Sequence, residues 1–432
     1  MSAWRTAETS PWMTTGHPRT VNYGLVARSS EPASPGPVPV LFLVADTGGG
    51  HRAAARAVSQ ALGQRYPGMF APVFCDPLGG PRSSWLLRWV TGLYGPSIRL
   101  ARPAWAAAYY ACDSRPAMWL LGVTLLALAD RPVAEAVARC RPAAIVSFHP
   151  LTCAAAARAR RRAAPGTAAV TVVTDLTRPH AAWRCGKVDR IVVPSAAVRR
   201  RWRLDGRASD RCAESGLPVT SDFWAGPTGP SERAALRQSL GQPGHRFLVV
   251  LTGGGEGCGG IARRAAAILR RFDDVGVVAV CGRNRRLERR LAALAARAGG
   301  RLTVRGFVHN MADWLRCADV VVTKAGPGTI AEATCCGTPL VLTSHVPGQE
   351  RGNTDFVVRA GAGRYAPSVR RLLGEISRLR GDPAAVTAMR NASARLGRPT
   401  AAADVAAVLA GLAGGRPAAQ NRNHSSAGTA GG

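Results

Sequence analysis

Short, wholly apolar runs that stop at glycine clusters and give way to alanine- and arginine-rich stretches recur along this chain. Such a run suits a strand buried on both faces of a parallel sheet. Residues 40–45, 144–148, 168–174 and 190–193 form one series, and residues 247–252, 276–280, 302–305, 320–323 and 339–342 a second. Strands alternating with helical stretches build βαβ units. Between the two series SDFWAGPTGPS, residues 221–231, is a break rich in glycine and proline. The expected fold class is therefore α/β, with two Rossmann-like domains over residues 39–220 and 221–412. Residues 1–38 and 413–432 hold too few apolar side chains to order themselves and are expected to be disordered tails. The first twenty residues lack the apolar stretch of a signal peptide, and the longest apolar run, 117–129, falls short of the roughly 20 residues that span a bilayer.

Charge narrows the partners. The 432 residues carry a net charge of +31, which attracts polyanions. Residues 39–220 hold 25 basic and 10 acidic side chains, and residues 221–412 hold 27 and 14, so no basic arm or stripe stands out and no specific nucleic-acid partner is expected. Arginine-rich composition with a solvated surface is one explanation, and attraction to an anionic membrane surface is the other. Only Lys187 and Lys324 are lysines, which singles out Lys324 in the motif described below. Eleven cysteines without a CxxC pair fit a reduced compartment rather than a zinc or redox site. In residues 82–119, Trp85, Trp89, Trp105, Trp119, Tyr94, Tyr109 and Tyr110 interleave with Arg82, Arg88, Arg99 and Arg102. Rings beside cations suit a lipid headgroup interface, with Trp85 and Trp89 as contacts; aromatic packing within a helical insertion is the alternative.

Four motifs carry chemistry. In VLFLVADTGGGHRAAARAV, residues 40–58, a strand meets three glycines ending at Gly50 and a helix opens at His51. The spacing is neither a dinucleotide fingerprint nor a P-loop. A helix N-terminus disfavours imidazolium, so His51 suits a general base, or else a polar cap. VTVVTDLTRPHAAW, residues 170–183, delivers Asp175 at a strand's carboxyl end, where open α/β sheets bind ligands, with His180 and Trp183 following. Asp175 could orient His51, act as the base, or cap a turn. His149, ending another strand, is a further candidate for this cleft or a core histidine. FLVVLTGGGEG repeats the strand–glycine–helix logic with Gly254 and Gly255, and CGRN, holding Arg283 and Asn284, follows the next strand. Last, VVTKAGPGTIAEA brings Lys324, Ala325, Gly326, Gly328 and Thr329 to a helix start, a cradle for phosphate. Glu332 could accept hydrogen bonds from ribose hydroxyls, and Gln349 and Glu350 offer acceptors for further hydroxyls. No DxD sequence exists to hold a divalent cation on a diphosphate, so a leaving group would rely on Lys324, backbone amides and a helix dipole.

In order and rough spacing, DTGGGHRA, SFHPL, TDLTRPHAAW, GLPV, LTGGGEG, CGRN, TKAGPGTIAEA and GQERGN resemble the motifs of the monogalactosyldiacylglycerol synthase and processive diacylglycerol glucosyltransferase family, over about residues 39–400. The loop TRPHAAW departs from the STCHPTW common in galactolipid synthases, although His180 and Trp183 match. The resemblance implies a GT-B fold whose two domains face across a cleft, and an inverting hexosyl transfer from a UDP-sugar to a lipid such as diacylglycerol. It implies no metal or other cofactor, UDP-sugar being a substrate, and peripheral attachment at the cytoplasmic face of a membrane. By position, His51 is the base with Asp175 near it. Gly254, Gly255, Arg283, Asn284, Phe307, Val308, Lys324, Ala325, Gly326, Gly328, Thr329, Glu332, Gln349, Glu350 and Asn353 face the donor. Gly50, His149, His180, Trp183, Trp85 and Trp89 belong to the acceptor and membrane side. The alternatives are an isomerase resembling UDP-GlcNAc 2-epimerase, a transferase acting on another lipid or natural product, and a non-enzymatic polyanion-binding protein.

Overall fold

In a computed structural model of the chain, residues 36–414 are described except 46–49, 94, 98–100, 164–165, 185–186, 205–210, 227 and 243–246. The expected tails at 1–35 and 415–432 lie outside the described residues. Strand β1 begins at Val38, inside the span expected as tail, and the last described helix runs to Gly414.

Among the described residues twelve parallel strands form two sheets. The first contains β1 (Val38–Leu43), β2 (Phe70–Cys75), β3 (Ala144–Ser147), β4 (Ala168–Val172), β5 (Arg190–Val193) and β6 (Cys212–Glu214), in the order β2-β1-β3-β4-β5-β6. The second contains β7 (Phe247–Thr252), β8 (Val275–Val280), β9 (Leu302–Arg305), β10 (Val320–Lys324), β11 (Leu340–Ser344) and β12 (Gly363–Tyr365), in the order β12-β11-β10-β7-β8-β9. The central strands AAVTV, FLVVLT and VGVVAV are buried at every residue, as strands covered on both faces by helices must be.

This order decides where ligands can go. In the first sheet the chain turns back on itself beside β1, between β2 and β3; in the second it does so beside β7, between β10 and β8. Loops leaving the carboxyl ends of strands diverge at such points and open a crevice. The motifs around His51, Gly254 and Lys324 all leave β1, β7 or β10 there.

The last helix among the described residues, Ala401–Gly414, returns to the first sheet. Ala402, Val405, Ala406 and Leu409 join Val40, Ala54 and Val58 in one core, so a division at residue 221 assigns to the second half a helix that packs on the first. Small side chains on both helices permit this approach. The glycine- and proline-rich break is likewise tied down: Gln60 Nε2 donates to the Ser221 hydroxyl at 2.7 Å, and the Ser221 amide donates to Gln60 Oε1 at 3.1 Å.

Candidate active site

The helix Gly50–Arg65 opens at the carboxyl end of β1 with His51 as its second residue. The ring is buried, its Nδ1 2.9 Å from the Phe148 carbonyl and 2.7 Å from the Thr174 hydroxyl. A carbonyl can only accept, so Nδ1 carries the hydrogen and Nε2 keeps the lone pair. Burial holds the His51 pKa down to about 4, against the opposing pull of the Phe148 bond. The neutral ring expected from the helix terminus follows here from desolvation. His149 packs edge-on to His51 at 4.5 Å, its own pKa lowered by burial and by its neighbour. Its Nδ1 accepts the Leu151 amide at 3.3 Å, a cap on the turn after β3.

Asp175 follows β4 and is also buried. Its Oδ2 accepts Trp183 Nε1 at 2.7 Å and the His180 amide at 3.4 Å, and Gln349 of the second half donates to its Oδ1 at 3.5 Å. Burial pushes its pKa up to about 6. Among the described residues no hydrogen bond joins Asp175 to His51, which corrects the expectation that it orients the imidazole: Phe148 and Thr174 do so. Three acceptor-side expectations also change, the first being His149, which caps its turn and does not line the cleft. Trp183 is fully buried and anchors Asp175, so it cannot touch a lipid. His180 spends Nδ1 accepting the Ala182 amide and Nε2 donating to the Tyr109 carbonyl, and does not line the cleft.

The opposite wall comes from the second sheet. After β7 the chain folds so tightly that a Cβ at Gly253 would stand 1.9 Å from the Cys258 carbonyl oxygen, and Gly254 takes φ +71°. The Arg283 guanidinium lies 5.7 Å over the half-exposed ring of Phe307 and 3.5 Å from Glu256. After β10, Gly326 and Pro327 start helix Pro327–Cys335, which has no side-chain cap, so its first amides are open to an anion. Lys324 is salt-bridged to Glu350, whose Oε2 accepts the Val346 amide at 2.8 Å. Glu350 is thus committed to the lysine rather than free for a sugar hydroxyl. Glu332, with no side-chain hydrogen bond among the described residues, is pushed up to about 7 by burial.

These walls enclose a cavity of about 570 Å³ that brings together Gly50, His51 and Asp175 with Gly254, Gly255, Arg283, Phe307, Val308, Lys324, Gly326, Gly328, Thr329, Glu332, Gln349 and Glu350. Three expected donor residues stay out of its lining. Asn284 caps helix Arg285–Ala295 through the Leu287 amide at 2.9 Å, Ala325 is fully buried, and Asn353 bridges the Ala325 carbonyl and the Thr177 hydroxyl, each at 2.9 Å. Arg52, Arg56, Thr174, Leu217, Thr220 and Met311 line it unannounced. Arg52 and Arg56, four residues apart on the helix that begins beside His51, were the ones periodicity could have flagged. No three His, Cys, Asp or Glu side chains come together as a metal site would need, among the described residues.

The aromatic segment folds into helices Trp85–Gly92, Arg102–Cys112 and Arg115–Val123. Trp85, Trp89 and Trp119 are 73%, 60% and 68% exposed, with Leu93, Tyr110, Leu120 and Val123 also outward, whereas Trp105, Tyr109 and Tyr110 pack ring against ring. Tyr94 and Arg99 lie outside the described residues. No single described helix is long and apolar enough to cross a membrane; Arg115–Val123 and Leu125–Cys140 reach the length together but bend by 51°.

Residues 51–219 match the family model for monogalactosyldiacylglycerol (MGDG) synthase, and residues 248–403 that for the glycosyltransferase family 28 C-terminal domain. A rice protein (Oryza sativa subsp. indica) named probable monogalactosyldiacylglycerol synthase 2, chloroplastic, is 35% identical over 379 residues, covering 82% of this chain and 79% of that one. Among solved structures, MurG of Acinetobacter baumannii superposes with a TM-score of 0.56 at 16% identity over 86% of this chain and 99% of its own. UDP-GlcNAc 2-epimerase of Neisseria meningitidis, bound to UDP-GlcNAc, does so with 0.56 at 12% over 86% and 99%. At such identities the structures speak for the shared GT-B architecture alone. The sequence matches go further: this chain is a glycosyltransferase and belongs to the monogalactosyldiacylglycerol synthase family.

Proposed function

We propose that the protein moves a hexose from a UDP-sugar to diacylglycerol, with inversion and without a metal ion, at the surface of an anionic membrane on its cytoplasmic face. The observation that carries this reading is a single cavity with a neutral, buried histidine on one wall and an uncapped helix N-terminus between glycine loops on the other. In the proposed division of labour, residues 39–220 present the acceptor and residues 221–412 hold the donor.

His51 Nε2 takes the proton of the acceptor hydroxyl as its oxygen bonds to the anomeric carbon. The bond from that carbon to the diphosphate oxygen breaks, and UDP leaves with the electron pair. Positive charge gathers on the sugar ring beside Asp175, while the open amides at Gly328 and Thr329 and the Lys324 ammonium meet the charge growing on the diphosphate. Glu332 accepts from the ribose, and Phe307 and Val308 border the base. Inversion is tested on the product: a glycolipid of configuration opposite to that of the donor supports the reading, and retained configuration contradicts it.

Two further results are expected. Glu332→Gln should weaken UDP-sugar binding by about 1 to 3 kcal/mol, the range of a charge-assisted hydrogen bond. With Glu332 titrating near 7, wild-type affinity should rise from pH 6 to pH 8 as the carboxylate forms, and that rise should vanish in the variant. Calorimetry with a UDP-sugar, whose diphosphate does not titrate in this range, reads both. Secondly, vesicle sedimentation should show binding that grows with anionic lipid and falls with salt, and replacing Trp85 and Trp89 by alanine should weaken it on every vesicle. The exposed tryptophans favour a lipid acceptor over an acceptor-free isomerase, which has no use for such a surface.

A further inference from the structure

Helix Arg102–Cys112 fully buries none of its described side chains, yet it is tied to the cleft from both sides. The half-buried Tyr109 ring lies 4.7 Å from that of His180, and its carbonyl accepts from His180 Nε2 at 3.3 Å. Just past the helix, Asp113 accepts the Ala181 amide at 2.7 Å. The Tyr109 ring also meets the second half of the molecule at Gly348, where a Cβ would stand 2.4 Å from Cδ1 and 2.7 Å from Cε1. Gly348 also has φ +82°, so two separate constraints require glycine there. The next residue is Gln349, the donor to Asp175.

We propose that Tyr109 is a positioning residue for the transfer. Wedged between His180 and Gly348, it sets the loop after β11 so that Gln349 meets Asp175, and thereby joins the aromatic, outward-facing helix to the wall where the sugar reacts. This rests on the reading that the cleft takes a UDP-sugar. The contact is made by the ring: among the described residues the Tyr109 hydroxyl has no hydrogen bond, so Phe is an adequate replacement and Ala is not. The loops proposed for the nucleotide, 253–256 and the start of helix Pro327–Cys335, meet this one through the Glu350–Lys324 ion pair, so replacing Tyr109 should affect the affinity for UDP alone far less than it affects the transfer. Because the same ring excludes a methyl at Gly348, a Gly348→Ala substitution displaces the loop only while Tyr109 is present to clash with it; the left-handed backbone cost remains in either case.

The test uses the full chain with a UDP-sugar and phosphatidylcholine/phosphatidylglycerol vesicles containing diacylglycerol. Wild type, Tyr109→Phe, Tyr109→Ala, Gly348→Ala and the double alanine variant are compared for kcat, KM for the UDP-sugar, Kd for UDP and melting temperature. Tyr109→Phe should match wild type. Tyr109→Ala should lose about tenfold or more in kcat/KM for the UDP-sugar with a much smaller change in the UDP Kd. Gly348→Ala should lose more, and adding Tyr109→Ala to it should restore part of that loss, toward the level of Tyr109→Ala alone, the remainder being the backbone cost. Tyr109→Ala within about twofold of wild type, a parallel loss of UDP affinity, or a Gly348→Ala effect of equal size in both backgrounds overturns the proposal. A folded wild type that turns over no UDP-sugar overturns the reading of the cleft, and this proposal with it.

Discussion

His51→Ala is expected to lower kcat by roughly 10² to 10⁴ while leaving the affinity for UDP unchanged, since general-base catalysis contributes about that factor and the residue lies on the wall opposite the proposed nucleotide loops. The pH profile tests the assignment independently. Burial depresses His51 to about 4 and raises Asp175 to about 6, and each acts in its deprotonated form. Activity therefore falls as pH drops, first through the Asp175 value, and at saturating UDP-sugar, where the Glu332 titration no longer limits binding, the acid limb of kcat in wild type should lie near 6. Asp175→Asn should move that limb toward 4 and cost less in rate than His51→Ala, because the carboxylate only stabilises charge on the ring. If instead Asp175→Asn abolishes activity and His51→Ala retains most of it, Asp175 is the base.

The second large effect is expected at Lys324. Removing a preorganised cation from a leaving group costs about 10² to 10³ in kcat, and Lys324→Met should lose about that much. It should also lower the melting temperature, because Glu350 is left buried without its partner, the costly way to break a buried pair. Adding Glu350→Gln removes the orphaned charge. The double variant should regain most of the melting temperature and none of the rate, a separation that circular dichroism and UDP-release assays detect. Recovery of rate along with stability would reduce Lys324 to a structural role.

Much of the molecule was legible because parallel strands buried on both faces announce themselves as apolar runs. All nine expected strands occur, with ends shifted by a residue or two. The three unexpected ones, β2, β6 and β12, are edge strands: β2 carries Pro72, and the other two have only three residues each. The glycine loops and His51 were readable for a similar reason, since a strand end, a tight turn and a helix start are local features. Pairings between distant loops were not. Trp183 reads as an acceptor-side residue until its indole is seen on Asp175, and Glu350 reads as a sugar ligand until the adjacency of β10 and β11 brings Lys324 to it. Asn353 matches a donor motif and spends both ends of its amide holding two loops together.

Release of UDP by the pure protein, followed with UDP-glucose, UDP-galactose and UDP-GlcNAc in turn and with or without diacylglycerol vesicles, tests the central claim most directly. Lipid-dependent release with one of the three sugars, accompanied by a glycosylated diacylglycerol, is the predicted result. Release or isomerisation that proceeds equally without lipid would contradict it.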